Sequence, residues 1–151
     1  MHVVLIPEYL IGLVGLVAGG AAGLVVAALA HNGRLPARDA RVTAPLLLGC
    51  AVAHLFLIPA VELERQVLFG LYALALLGTV AIGLAGARIW RLGAVFFPAG
   101  SIVAYTYFAV LVHQADYAGL AIKVVELIAI GSALASFAAR RSQRVLNVAR
   151  G

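Results

Sequence analysis

Apolar residues run along this chain in five long blocks separated by short polar breaks. The blocks cover approximately residues 3–30, 44–61, 67–87, 93–113 and 118–139. An α-helix needs about 20 apolar residues to cross the hydrocarbon core of a bilayer. The pattern therefore predicts an all-α bundle of five transmembrane helices. The second block is the shortest, bracketed by Pro45 and Pro59. The first would form a helix about 42 Å long at 1.5 Å per residue. That is longer than the core is thick, so tilt or projection into water is expected. The breaks at His31–Thr43, Glu62–Gln66, Arg88–Leu92 and Gln114–Tyr117 are too short to separate domains, so residues 1–151 form a single transmembrane domain. Pro98, inside the fourth block, removes one backbone donor and frees the carbonyl of Ala94, which predicts a kink there.

Composition sharpens this picture. Of the 151 residues, 64% are hydrophobic and only 11% are charged, and the mean hydropathy is +1.08. Soluble domains average about 25% charged residues, so this chain has too little charge to cover a water-facing surface. The same numbers exclude a large extramembranous catalytic domain, a nucleotide-binding fold and a disulfide scaffold. The single cysteine, Cys50, lies in an apolar block and reads as a small buried hydrophobe. No Lys or Arg precedes residue 34. A secretory signal begins with positive charge and a short apolar core, so the first block is expected to be retained as a span.

The formal net charge is +5. It reflects arginines at the breaks and not a nucleic-acid surface. Arg34, Arg38 and Arg41 lie in the first break, Arg88 and Arg91 in the third, and Arg140, Arg141, Arg144 and Arg150 in the tail. Five spans put all of these on one side and leave only Arg65 in an opposite loop. The positive-inside rule then predicts an N-terminus outside and a C-terminus in the cytoplasm. Trp90 fits an interfacial anchor on the cytoplasmic side, and the arginine-rich tail a topology anchor.

Small residues recur at helical spacing. Gly15, Gly19 and Gly23 lie four apart, with Gly12 and Gly20 nearby, and Gly131 and Ala135 make a similar face in the last block. Such faces let helix backbones approach closely in lipid. They predict packing within the bundle or against other membrane subunits or a second copy.

Orientation then groups the polar residues. Five of the six acidic residues and all five tyrosines fall on the outer side, with Asp39 as the exception. Charge inside a membrane is costly and usually faces the bundle interior or a wet cavity. Lys123 and Glu126 are three apart on one helix face and can pair. An outward-opening polar vestibule is expected, with His54, Glu62, Glu64, His113, Lys123 and Glu126 as candidates. The bland alternative is an aromatic belt, solvated loop carboxylates and a snorkelling lysine.

No established chemical motif accompanies these residues. His113 and Asp116 have i,i+3 spacing, but nothing resembling HExxH or CxxC supports a metal site. His54 and His113 lie at depths that fit a bis-histidine haem poorly. Ser101, Ser132, Ser136 and Cys50 have no adjacent base and acid in sequence. No cofactor is indicated. The run Ala53-His54-Leu55-Phe56-Leu57-Ile58-Pro59 with Glu62 and Leu68–Leu77, and Gly119-Leu120 with Lys123 and Glu126, resembles small multi-pass bacterial membrane proteins of uncharacterised function. The resemblance covers about half the chain and implies a bacterial cytoplasmic membrane. The leading expectation is a non-catalytic accessory or scaffold subunit that packs on other membrane proteins through glycine-rich faces. A small proton, cation or metal transporter is the alternative. A membrane enzyme or cofactor binder with an outer His/Glu/Tyr site is the third.

Overall fold

The computed structural model describes residues 8–31, 41–111 and 117–148, and among these residues every regular element is helical. The helices are α1 (Glu8–His31), α2 (Thr43–Leu57), α3 (Leu63–Leu84), α4 (Trp90–Leu111) and α5 (Tyr117–Val148). Each contains a stretch long and apolar enough to cross a membrane: Leu10–Leu29, Thr43–Ala60, Leu63–Leu84, Trp90–Leu111 and Tyr117–Ala138.

Successive helices run in opposite directions. Gly15 faces Ala53 and Gly23 faces Pro45 across α1 and α2, while Gly83 faces Trp90 and Gly93 faces Thr79 across α3 and α4. The Thr43 hydroxyl meets the Ser132 hydroxyl at 2.8 Å, which sets the start of α2 beside the middle of α5. Ser132 spends its own proton on the Ala129 carbonyl at 2.8 Å, so Thr43 is the donor between them. One end of the bundle thus carries the Glu62 turn and the other the Trp90 turn.

Local chemistry explains where the helices end. Pro59 offers no N–H, and α2 gives way to a single 3-10 turn over Ile58–Ala60. Gln66 closes that turn, its Nε2 donating to the Val61 carbonyl at 2.9 Å. α3 starts four residues before its apolar block, within the charged segment. Glu62 is extended at φ −65° and ψ 156°, and its carbonyl accepts from Gln66 N–H at 2.9 Å. Glu64 then sits in the first turn, where a carboxylate suits the positive end of the helix dipole. At the far end Gly86 has φ 82°, a left-handed conformation that costs glycine least. Ala87 N–H bonds the Ile82 carbonyl and Gly86 N–H the Gly83 carbonyl. This pair of bonds caps the helix and satisfies carbonyls that would otherwise be orphaned. α4 runs on through Pro98. α5 outruns its apolar block and continues through the arginine-rich segment to Val148.

The packing buries many small residues beside a few large ones, among them Leu47, Leu76 and Ile122, and leaves many large apolar side chains exposed. Ala44, Cys50, Ala51, Ala53, Ala73, Ala94, Ala129 and Ala133 are buried, while Val17, Leu24, Leu63, Leu71, Phe96 and Val103 are exposed. α2 is the central element, packed on α1, α3 and α5. α4 rests on α3 and α5, and its buried residues, Trp90, Arg91, Ala94 and Pro98, all lie in its first half. Trp90 is buried against Gly83, which differs from the interfacial anchor its sequence position suggested. The bare Gly83 backbone makes room for the indole, since a Cβ there would stand 3.2 Å from Trp90 Cγ. Arg91 is also buried, its guanidinium 5.5 Å from the ring centroids of both Trp90 and Phe137.

Candidate functional site

α5 carries two ionisable groups into the bundle. Its buried face is Ala118, Ile122, Lys123, Glu126, Ala129 and Ala133, an i, i+3, i+4 progression that follows one side of a helix. Glu126 is 0% exposed and Lys123 is 8% exposed. Lys123 Nζ donates to Glu126 Oε2 at 2.7 Å. The other carboxylate oxygen accepts from two further helices: Tyr72 OH of α3 at 2.7 Å and Ser101 Oγ of α4 at 3.1 Å. Lys123 Nζ also donates to Ser101 Oγ. The ammonium lies 5.9 Å from the ring centroids of Tyr72 and Tyr105, within cation–π range.

This arrangement meets the requirement for buried charge, which must be paired and its remaining lone pairs satisfied. Both oxygens of Glu126 are hydrogen-bonded. Ser101 bridges the pair, accepting from Lys123 while donating to Glu126. Three helices are tied at one point by side chains far apart in sequence.

His54 of α2 stands next to this network. Its Nδ1–H donates to the Cys50 carbonyl at 2.7 Å, one turn back on the same helix. The imidazole packs edge-on against Tyr72 at 4.6 Å and Phe69 at 5.1 Å between centroids. Tyr72 therefore touches His54 with its ring and Glu126 with its hydroxyl. Cys50 is fully buried on the same turn.

Of the vestibule candidates, the structure brings together His54, Lys123 and Glu126. Glu62 and Glu64 are exposed at the Glu62 turn and take no part in the network. His113 and Asp116 lie outside the described residues. Tyr72, Ser101 and Tyr105 complete the cluster. Tyr72 and Tyr105 are among the five tyrosines expected on the outer side, and Ser101 has no adjacent base and acid in sequence. None of the three has a local sequence signal that ties it to Glu126, because the tie is made by helix rotation.

The chemistry open to the cluster is limited by its geometry. Lys123 Nζ is already engaged by Glu126 and Ser101. Ser101 is in mid-helix, where neighbouring backbone N–H groups are engaged in the helix itself and offer no hole for an oxyanion. Among the described residues there is no group of three or more His, Cys, Asp or Glu side chains placed to hold a metal ion. What the cluster does is join hydrogen-bonding groups of three helices in apolar surroundings.

The glycine faces divide differently. Gly15, Gly19 and Gly23 lie against α2 of the same chain. Gly131 has open space around it, and Ala135 is exposed. Compared with known proteins, the chain matches no family model, no curated protein sequence and no solved structure.

Proposed function

We propose that the chain is an integral protein of a bacterial cytoplasmic membrane and serves as a non-catalytic accessory subunit of a larger membrane assembly. One observation carries this reading: large apolar side chains face outward on all five helices. In water that surface would aggregate, whereas in lipid it is matched. Small interior residues let helices approach closely, which is how helices associate without a hydrophobic drive. The connections among described residues are only a few residues long, and Lys123 and Glu126 pair with each other inside the bundle, leaving the outer faces for partners.

The arginine distribution supports an orientation with the Glu62 turn outside and the Trp90 turn in the cytoplasm. A membrane-impermeant maleimide applied to intact cells is expected to label Glu62→Cys and spare Arg88→Cys; the reverse pattern would overturn the orientation. Gly15, Gly19 and Gly23 are consumed within the chain, so a docking face is expected where glycines stay open, at Gly20, Gly78, Gly100 or Gly131.

Native mass spectrometry after gentle extraction from the source membrane tests the subunit role. A stoichiometric complex with larger membrane proteins is the expected result. A bare monomer or homo-oligomer would sink it and leave a small cation or proton carrier as the reading to pursue. The buried Lys123–Glu126 pair favours that second reading, since ionisable groups within spans commonly mark ion pathways. Abolished flux in Glu126→Gln vesicles, with assembly intact, would establish it.

A further inference from the structure

We propose that Glu126 is an exchangeable proton-binding site within the bundle, gated by Lys123. This goes beyond the subunit role and does not depend on which assembly the chain joins. The observation is an asymmetry within one ion pair. Glu126 is sealed, while the side chain of Lys123 keeps 10% of its surface exposed. Lys123 is three residues nearer the Glu62 end, about 4.5 Å along the helix. It is also only six residues from Tyr117, where α5 begins. The lysine thus stands between the carboxylate and the nearer end of the bundle.

The exchange is a simple protonation. A proton from the aqueous phase bonds to Glu126 Oε2, and the Lys123 N–H···Oε2 hydrogen bond breaks. Lys123 keeps its charge and swings on its four-carbon stem toward the Glu62 end. The two tyrosine rings flank that motion. Oε1 retains Tyr72 and Ser101 as donors. Ser101 Oγ, released by Lys123, has the lone pair that the new carboxylic O–H requires. The bundle gains one positive charge, and no electron is transferred.

α3 presents Tyr72, α4 presents Tyr105, and α2 presents Cys50 and His54. The described side chains of α1, residues 10–29, include no titratable group. Glu126 is the one carboxylate among the described residues of this cluster, so a carboxyl signal from the core belongs to it.

Infrared difference spectroscopy of the purified chain in lipid, stepped through pH, tests the proposal. A protonated-carboxyl carbonyl band that grows as pH falls, and is missing from Glu126→Gln, is the expected result. Absence of such a band, or a band that Glu126→Gln retains, would overturn it. Labelling by an apolar carbodiimide, which attacks protonated carboxyls, supplies an independent reading. Adduct on Glu126 should rise by up to about tenfold per unit fall in pH. A wild type that stays unlabelled while Lys123→Met is labelled would show that the pair is locked, and would also overturn the proposal.

Discussion

Gly23→Ala is expected to detach α1 from α2. A Cβ at residue 23 would lie 2.2 Å from Pro45 Cα and 2.7 Å from Pro45 Cβ. Carbon atoms pack best at about 3.5–4.0 Å, so one backbone must retreat by more than 1 Å. Neither can do so cheaply, because the obstacle is a proline main chain and not a mobile side-chain tip. The same stripe is tight at Gly19, where a Cβ would stand 2.6 Å from the Leu48 carbonyl oxygen, and at Gly15, 2.8 Å from Ala53 Cα. Overpacking of this kind costs about 1–3 kcal/mol and sometimes more. Thermal unfolding in detergent should show a lowered midpoint. Gly20→Ala is the matched control. Nothing lies within 4 Å of its Cβ position, so its stability should stay within about 0.5 kcal/mol of wild type. Equal losses from both substitutions would mean that the α1–α2 contact is wrong.

The second large effect concerns the charged pair. Glu126→Ala strips Lys123 of its counter-ion and leaves an ammonium in an apolar core. Breaking one side of a buried pair costs about 3–5 kcal/mol. Replacing both partners by apolar residues of similar volume is often neutral or stabilising by about 1–4 kcal/mol. The double variant Lys123→Met with Glu126→Leu is therefore expected to unfold at or above the wild-type midpoint, while each single change falls well below it. Tyr72→Phe removes one donor from Oε1 and should cost less, about 1–3 kcal/mol. A double variant as unstable as Glu126→Ala would show that the site depends on charge itself. If the double variant is stable yet fails in the cell, the charges serve function and not folding.

Much of the bundle was legible in the chain because hydrophobic length is a coarse quantity. Five apolar blocks became five helices. The ends were not legible from hydropathy, since other forces decide them. The Glu62 carbonyl starts α3 among charges that hydropathy had assigned to a loop. Gly86 and its two backbone bonds stop it at Leu84. α5 continues past its apolar block because arginine is a good helix former. Spacing alone revealed that Lys123 and Glu126 share a face. It could not reveal that Tyr72 and Ser101 meet them, because residues 54 and 25 positions away are aligned only by the rotation of whole helices. The sequence places Glu62 and Glu64 in a loop, and they are exposed at the turn between α2 and α3, apart from the buried network. The α1 glycine stripe announced a close helix contact, yet its partner became visible only with Pro45, Gly49 and Ala53 in place.

The hydrogen bond between Lys123 and Glu126 lies within one helix, and this bears on how the chain is made. Each group alone would oppose entry into lipid, by about 2.5–3.5 kcal/mol at the centre of a span. Placed one turn apart on α5, they can neutralise each other as soon as that helix winds, before any neighbour is met. α5 follows α3 and α4 along the chain, so Tyr72 and Ser101 are made before it. α5 can therefore insert with its charges already joined, and its docking adds the two hydroxyls. Assembly of the polar core waits on α5, and a chain truncated before it would leave Tyr72 and Ser101 without the carboxylate they serve.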